Sequence, residues 1–281
     1  MPPSDNQKIT VPILLARKPK GERITAVTSY DYPTTRIISE AGVDLILVGD
    51  SLGMVLHGRD NTLQVTLEDV IYHSRLVADA APRSLVVADM PYGSYHVSPQ
   101  DAVRNALRCI KEGGAEAVKI EGGRNRFDVV EALLKAEIPV LGHLGLTPQS
   151  VHTLGGFRVQ GKLRETAQEI LEDARELEAR GVFAIVLESI PMELARVVTD
   201  RLSIPTIGIG AGPHCDGQIL VFHDLVGFTR VYLPKFVRQY ADLYGIIHTA
   251  LGAYINDVQA GRFPDERESY HLKGDINELI K

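Results

Sequence analysis

The stretch ETAQEILEDARELEARGVFAIVLE, residues 165–188, joins a charged amphipathic segment to a short apolar run. Residues 165–180 predict a long helix, and Gly181 stands where a residue in the left-handed conformation ends many helices. The FAIVLE run that follows is almost continuously hydrophobic, which is typical of a parallel strand covered on both faces. A helix that passes directly into such a strand is the repeating unit of a parallel α/β fold.

The same alternation of helix and strand patterns runs along most of the chain. Thr66 precedes the amphipathic segment LEDVIYHSRLVADAA, and Ser98 with Pro99 precedes another; residues of these types commonly start helices. Apolar, β-branched runs lie at 24–28, 43–48, 84–88, 115–120, 138–142, 182–187 and 204–209. An eighth strand at 218–222 or 224–228 would complete a (β/α)₈ TIM barrel, a fold that typically takes about 250 residues.

The rival architecture is an open, doubly wound sheet. Its usual GxGxxG fingerprint is absent after the first strand, where residues 28–33 read TSYDYP, so the barrel is favoured. We expect a single (β/α)₈ barrel domain over residues 1–281, with an N-terminal leader at 1–22 and a polar C-terminal tail at 265–281. Residues 145–163 show no regular pattern and predict a long functional loop.

The charge composition of the chain argues against nucleic acids and anionic membranes as its main partners. The chain carries 30 Lys and Arg against 36 Asp and Glu, a net charge of −6, whereas nucleic acids and anionic membranes require a basic surface. Cys109 and Cys215 form neither a disulfide framework nor a CxxC metal site, which indicates a reducing compartment. No apolar run reaches the length of a membrane span, and no secretory signal pattern is present, so we expect a cytoplasmic protein.

Polar residues stand at or near the ends of successive apolar runs. They are Asp50, Asp89, Lys119, Glu121, His143 and Glu188. Because all strands of a parallel barrel point the same way, these side chains are expected around one mouth of the barrel. Lys119 and Glu121 are two apart on one strand, so they leave the same face. A single acid at such a position is usually a helix cap or loop residue, but six polar residues together predict a functional site.

Four carboxylates around one cavity repel one another unless positive charge lies among them. Lys119 supplies one positive charge, and a bound cation would supply more. Oxygen donors with few Cys or His nearby favour Mg²⁺ over Zn²⁺. Mg²⁺ takes one or two protein carboxylates and fills its other positions with water and substrate oxygens, which leaves at least one carboxylate free to act as a base.

Other candidates have an ordinary structural explanation beside the functional one. Ser51 either caps the following turn or donates to a substrate carboxylate, and His143 either lines the site or is a core histidine. Tyr30 either lines the mouth or belongs to a turn. The glycine run at 208–212 either binds phosphate on backbone N–H groups or makes a tight, closely packed turn.

Nine longer segments carry a family resemblance. They are TSYDYP at 28–33, LVGDSLGM at 47–54, VADMP at 87–91, VKIEGG at 118–123, GHLGLTPQSV at 142–151, GGFRVQG at 155–161, VLESIP at 186–191, IPTIGIGAG at 204–212 and DGQILV at 216–221. In these segments the chain resembles the ketopantoate hydroxymethyltransferases. The resemblance implies a barrel of the phosphoenolpyruvate/pyruvate-binding type, assembled as a homodecamer. It also implies transfer of a hydroxymethyl group from 5,10-methylenetetrahydrofolate to 3-methyl-2-oxobutanoate, giving 2-dehydropantoate for pantothenate biosynthesis.

The same resemblance implies residue roles. The implied metal ligands are Asp50, Asp89 and, near the ion, Glu121. The implied substrate-binding residues are Asp50, Ser51, Asp89, Lys119 and His143. The implied catalytic base is Glu188. Many family members end in PxxEHSF, whereas residues 264–272 read PDERESYHL, so the tail departs from the family pattern.

The strand-end residues suit this chemistry. The carbon beside the ketone of a 2-oxoacid must lose a proton to a carboxylate whose pKa is on the order of ten units lower, a gap of roughly 14 kcal/mol. Mg²⁺ and Lys119 near the ketone oxygen would stabilise the enolate as its charge develops. Glu188, away from the metal, can then act as the general base.

Three other functions fit the sequence less well. A Mg²⁺-dependent 2-oxoacid lyase of the isocitrate-lyase-like barrels would carry a KKCGH-type run, which this sequence lacks. A non-catalytic scaffold would not need the ring of acids. A barrel that binds a phosphorylated sugar at 208–212 would place four carboxylates against the phosphate.

Overall fold

Eight parallel strands form the centre of the molecule. The structure, a computed structural model, describes residues 7–229 and 233–280. The strands are β1 Ile24–Thr28, β2 Leu45–Val48, β3 Leu85–Asp89, β4 Ala117–Glu121, β5 Val140–Gly145, β6 Ala184–Glu188, β7 Thr206–Ile209 and β8 Gly217–Leu220. Each strand pairs with the next, and β8 pairs with β1 through Ile24 and Gly217, which closes the barrel. The predicted TIM barrel is therefore confirmed, and the open sheet is excluded.

Helices connect the strands and cover the barrel. They are α1 Val11–Leu15, α2 Tyr32–Glu40, α3 Leu52–Val55, α4 Leu67–Ala80, α5 Pro99–Lys111, α6 Phe127–Lys135, α7 Val151–Leu154, α8 Arg164–Arg180, α9 Met192–Arg201, α10 Phe222–Leu225, α11 Leu243–Gln259 and α12 Ile276–Leu279. The start signals act as predicted: Thr66 and Asp69 form a reciprocal capping box on α4, and the Ser98 side chain accepts from the N–H of Asp101 on α5. Gly181, at φ 104°, ends α8.

Strand residues alternate between two apolar clusters. Val87 and Val186 belong to the cluster that fills the barrel interior. The residues that follow them, Ala88 and Leu187, belong to the cluster that packs strands against the surrounding helices. Both faces of the sheet are thus buried, which is the physical reason for the continuous apolar runs in the sequence.

The described part of the leader, from residue 7, packs into the barrel. Ile9 and Leu14 are 1% and 0% exposed and belong to the interior cluster. Arg17 donates two hydrogen bonds, of 2.7 and 2.6 Å, to the carboxylate of Asp44, which directly precedes β2. Both partners are buried, so this bidentate pair anchors the leader firmly.

The chain divides into two compact units. The first contains the barrel and comprises residues up to 222 together with 233–237. The second, described over 223–229 and 238–280, contains most of α10, all of α11 and α12, and a 3₁₀ turn at Glu266–Glu268. No residue of α11 is buried. A single domain over the whole chain stays a prediction, as does the separate nature of the tail. Among the described residues, no helix has the length and apolar character needed to cross a membrane.

Candidate active site

The carboxyl ends of the strands bring six titratable side chains to one barrel mouth. Asp50 lies two residues after β2, and Asp89, Glu121 and Glu188 are the last residues of β3, β4 and β6. Lys119 and His143 lie within β4 and β5. Pairing of Asp89 with Lys119, and of Glu121 with His143, sets neighbouring strands in the register that makes these side chains meet.

Lys119 connects two of the carboxylates. Its Nζ lies 2.6 Å from Oδ1 of Asp89 and 3.3 Å from Oε1 of Glu121. The three side chains are 3–4% exposed, so their charges interact with little screening by water. As predicted from their spacing, Lys119 and Glu121 leave the same face of β4.

His143 lies between two other carboxylates. Its Nδ1 is 3.3 Å from Oε1 of Glu121, and its Nε2 is 3.1 Å from Oε2 of Glu188. Neither nitrogen has the alignment of a hydrogen bond, and the two contacts are ion pairs when the ring is protonated. The side chain of Glu188 is 17% exposed against 3% for Glu121, which makes Glu188 the more open of the two.

Asp50 and Ser51 occupy the turn between β2 and α3. The backbone N–H of Asp50 donates to Oδ2 of Asp89 at 3.2 Å, so the two carboxylates belong to adjacent strands of the same mouth. The Ser51 hydroxyl lies 2.8 Å from the hydroxyl of Tyr30, which is 1% exposed. Tyr30 thus lines the mouth, whereas its neighbour Asp31 caps α2 by accepting from the N–H of Thr34.

Burial and crowding give these acids different pKa values. Burial, followed by the charges of Asp89 and Glu121, raises the pKa of Asp50 well above its ordinary value. Burial also raises the pKa of Asp89, although Lys119 opposes that shift. At Glu121 burial acts in the same direction, but Lys119 and His143 outweigh it and lower the pKa to about 2.

His143 carries a positive charge at neutral pH. Burial and Lys119 lower its pKa, but the contacts with Glu121 and Glu188 outweigh them and raise the pKa to about 9. The mouth therefore holds two cations, Lys119 and His143, among four carboxyl groups.

The pattern of acids and the barrel topology agree with what comparison with known proteins finds. A family model described as ketopantoate hydroxymethyltransferase matches residues 8–266. The chain belongs to the ketopantoate hydroxymethyltransferase family. This membership confirms the resemblance inferred from the sequence.

Curated members of the ketopantoate hydroxymethyltransferase family match the chain over nearly its whole length. A protein of Geobacter metallireducens, named 3-methyl-2-oxobutanoate hydroxymethyltransferase, is 53% identical over 265 residues, covering 94% of this chain and 99% of the relative. A protein of the same name from Syntrophomonas wolfei is 54% identical over 269 residues, covering 96% and 98%.

Solved structures of other proteins share the barrel fold of this family member. Phosphonopyruvate hydrolase superposes with a TM-score of 0.61 at 11% identity, covering 97% of this chain and 94% of that one. The 2,3-dimethylmalate lyase, a member of the PEP mutase/isocitrate lyase superfamily, gives 0.59 at 17% identity, covering 93% and 89%. At such identities the likeness shows the fold alone. It agrees with the closed (β/α)₈ barrel formed by the eight strands.

The donor set of this family member fits a hard divalent cation. Asp50 and Asp89 offer buried carboxylate oxygens from adjacent strands. Across 7–229 and 233–280, no three His, Cys, Asp or Glu side chains converge as a ready-made ligand set. Mg²⁺ needs only one or two protein carboxylates and keeps several waters, so this pair suffices for it.

Two site residues were missed by the sequence analysis. Gln149 lies in the 3₁₀ turn Pro148–Ser150 that follows β5, and its Nε2 donates to Oδ2 of Asp50 at 2.9 Å. The hydroxyl of Tyr95, from the segment after β3, donates to Oε1 of Gln149 at 2.6 Å. Both lie several residues beyond a strand end, so inspection of strand ends does not find them. The polar PQS run inside a predicted functional loop was the available signal.

Packing explains the glycine run at 208–212. Gly210, at φ 64°, would place a Cβ atom 2.7 Å from the Phe236 ring, and Gly212, at φ 76°, would bring one against Met192. Both positions need a residue without a side chain. The tight-turn interpretation therefore accounts for these glycines without a phosphate.

Proposed function

We propose that this chain transfers a hydroxymethyl group from 5,10-methylenetetrahydrofolate to 3-methyl-2-oxobutanoate, giving 2-dehydropantoate. The observation that carries the proposal is that the carboxylates at one barrel mouth occupy two different environments. Asp89 and Glu121 are held by Lys119, whereas Glu188 contacts His143 and remains more open. An enolising transferase needs both environments, one for holding the 2-oxoacid and one for removing its proton.

Glu188 is the general base of the proposed reaction. Its carboxylate takes the proton from the carbon beside the ketone, and the contact with His143 at 3.1 Å fixes its position. Because the pKa of His143 is raised to about 9, the ring places a positive charge beside the carboxylate of Glu188 at neutral pH.

Lys119 and the acids beside it bind the polar end of the substrate. The Lys119 ammonium, buried beside Asp89, provides a fixed positive charge for the ketone oxygen as negative charge develops there. Ser51 is placed to donate to the substrate carboxylate. We assign a Mg²⁺ ion to Asp50 and Asp89, with Glu121 near it. When bound, Mg²⁺ withdraws electrons from the oxygens of a 2-oxoacid and so acidifies the adjacent C–H bond.

Bond formation follows proton removal. The nucleophilic carbon attacks the methylene carbon of 5,10-methylenetetrahydrofolate, which forms the new C–C bond. Water supplies the hydroxyl group of the product, and both bonds from the methylene carbon to the two folate nitrogens break. Each of these nitrogens takes up one proton, one originating from the 2-oxoacid and one from water, and tetrahydrofolate leaves. One C–H bond, two C–N bonds and one O–H bond are thus exchanged for one C–C bond, one C–O bond and two N–H bonds, so atoms and charge balance.

Isotope exchange tests the first half of this reaction. The protein is incubated with 3-methyl-2-oxobutanoate in D₂O, with and without Mg²⁺ and without folate, and loss of the α-proton signal is followed by NMR. Exchange that requires Mg²⁺ supports the enolising step, and addition of 5,10-methylenetetrahydrofolate should then give 2-dehydropantoate. Absence of product with all components present would refute the proposal and favour a 2-oxoacid lyase or a scaffold.

We also propose self-association, as the homodecamer that the resemblance implies, and a cytoplasmic location. Self-association is supported by α11, where Ile246, Leu251 and Ile255 are 50–63% exposed, because large exposed apolar patches usually mark contact surfaces. The cytoplasm is supported by the two free cysteines, both buried, which suit a reducing compartment.

A further inference from the structure

Gln149 donates hydrogen bonds to two of the acids at the barrel mouth, one from its backbone and one from its side chain. It is 5% exposed. Its backbone N–H donates to Oε2 of Glu121 at 3.0 Å, and its side-chain Nε2 donates to Oδ2 of Asp50 at 2.9 Å. One residue of the segment after β5 is thus bonded to carboxylates that follow β2 and close β4.

The orientation of the Gln149 amide is fixed by its other contacts. Nε2 also donates to the carbonyl oxygen of Met90 at 3.0 Å. Because a carbonyl can only accept, the NH₂ end of the amide must face Met90, and the oxygen end must face Tyr95. The second N–H then points at Asp50 without ambiguity.

Tyr95 extends this chain of hydrogen bonds to β4. Its hydroxyl accepts from the backbone N–H of Glu121 at 3.2 Å and donates to Oε1 of Gln149 at 2.6 Å. The bonds therefore run in one direction, from Glu121 through Tyr95 and Gln149 to Asp50. Every donor and acceptor in the chain is buried and satisfied, an arrangement that fixes side-chain positions strongly.

Asp50 needs such a fixed partner. Lys119 lies against Asp89 and Glu121, at 2.6 and 3.3 Å, whereas the side-chain hydrogen bond that Asp50 receives is the one from Gln149. A carboxylate beside two others tends to rotate away from them, because like charges repel. The amide of Gln149 opposes that rotation.

We propose that Gln149, supported by Tyr95, is a positioning residue that holds Asp50 in the orientation required for binding the divalent cation and the 2-oxoacid. The substrate part of the inference rests on the proposed hydroxymethyl transfer, and its cation part rests on the Mg²⁺ site assigned to Asp50 and Asp89. Gln149 acts through its hydrogen bond to Asp50.

Cation binding without turnover is the primary test. The affinity of the purified protein for Mn²⁺, used in place of Mg²⁺, is measured from the EPR signal of the free ion, without substrates. The variant Gln149→Met keeps the length and volume of the side chain and removes the amide. Loss of an outer hydrogen bond to a metal ligand typically weakens metal affinity by about 10–100-fold, and we expect a change of that size. Gln168→Met serves as the matched control, because Gln168 is exposed and donates to Glu172 on the surface of α8.

Kinetics and thermal melting separate positioning from a merely structural role. For Gln149→Met we expect KM for the 2-oxoacid to rise more than kcat falls. We also expect its Tm to lie well above the assay temperature, so that the variant is folded during the measurement. A folded Gln149→Met protein whose Mn²⁺ affinity stays within about twofold of the parent would overturn the inference, as would a parent that binds no Mn²⁺. If Gln149→Met does not fold, the variant Tyr95→Phe is tested instead. We expect it to bind Mn²⁺ severalfold more weakly than the parent, and unchanged binding would contradict the inference.

Failure of the proposed function is recognised separately. In that case the unaltered protein gives no 2-dehydropantoate, while the Mn²⁺ titrations of parent and variants still decide the role of Gln149.

Discussion

Glu121 and Glu188 are both glutamates of the barrel mouth, but they differ in their contacts and in their exposure to solvent. Glu121 is 3% exposed and contacts Lys119 and His143, so its pKa falls to about 2 and it remains a fixed anion. Glu188 is farther from Lys119, contacts His143 from the other side, and has 17% of its side chain exposed. A proton acceptor has to reach its substrate, and the geometry gives that access to Glu188.

The change Glu188→Gln tests this division. It keeps the shape of the side chain and removes the base, so turnover should fall by about 10²–10⁴-fold, the usual contribution of a general base. Binding of 3-methyl-2-oxobutanoate with Mg²⁺, measured by calorimetry, should change little. Glu193→Gln, at an exposed position in the first turn of α9, is the control and should behave as the parent. Near-normal turnover of Glu188→Gln would exclude Glu188 as the base.

The raised pKa of His143 predicts a pH dependence of stability. In the folded protein this pKa is about 9, against an ordinary value of 6.5. Protonated His143 therefore stabilises the fold fully below about pH 6.5, and this contribution is lost as the pH rises through 9. A shift of this size corresponds to on the order of 3 kcal/mol at most.

Urea unfolding of metal-free protein at several pH values measures that effect. The difference in unfolding free energy between the parent and His143→Gln should shrink between pH 6.5 and about 9.5. His152→Gln, at an exposed position, should show a constant difference. A pH-independent difference for His143→Gln over this range would mean that folding does not raise the pKa of His143.

At the level of residues, the acids of the site could be predicted from the sequence, whereas the side chains that hydrogen-bond to them could not. Asp89, Glu121 and Glu188 were found because each ends an apolar run, and a strand end in a parallel barrel has one possible location. Gln149 and Tyr95 were missed because their positions depend on loop paths that no periodicity describes. The same limit applies to the left-handed Ser189, at φ 47°, directly after Glu188.

At the level of elements, the predicted strands were correct in existence and order but several began too early. The run 182–187 was expected as a strand, whereas β6 is Ala184–Glu188. Val182 and Phe183 are 1% and 3% exposed, so they are as buried as strand residues. The N–H of Phe183 already bonds to Val140 of β5, whereas the N–H of Val182 bonds to the end of α8. Burial determines the apolar pattern, and the hydrogen-bond ladder determines the strand.

The leader is the element whose role the sequence did not indicate. Leu14 is fully buried among the interior residues of the barrel. We expect Leu14→Ala to lower the unfolding free energy by about 3 kcal/mol, since it removes buried methyl groups and leaves a cavity. The measurement is denaturant unfolding. Leu163→Ala, at a position 66% exposed, should change the unfolding free energy little. If Leu14→Ala lowers the unfolding free energy as little as Leu163→Ala does, the packing of Leu14 does not stabilise the barrel.

At the level of the whole molecule, topology was predictable because it follows from a repeated local pattern. Eight apolar runs separated by helices leave few arrangements, and the right-handed connection between parallel strands reduces them to a barrel or an open sheet. The division of the chain into two units was not predictable in this way. Residues of α11 such as Leu251 and Tyr254 have the spacing of a buried helix yet are both 55% exposed, and a single sequence does not say which surface covers them.

Self-association is the explanation that we propose for α11, and it predicts a mass. A homodecamer of the 30.8 kDa chain has a mass of about 308 kDa, which light scattering after size exclusion measures directly. Leu251→Glu places a charge on the apolar side of α11 and should give smaller species, because an unpaired charge in an apolar contact is costly. Asn256→Glu adds the same charge at an exposed polar position of the same helix and should leave the mass unchanged. A parent of 30.8 kDa would refute self-association, and a parent of intermediate mass would refute the decamer while keeping α11 as a contact surface.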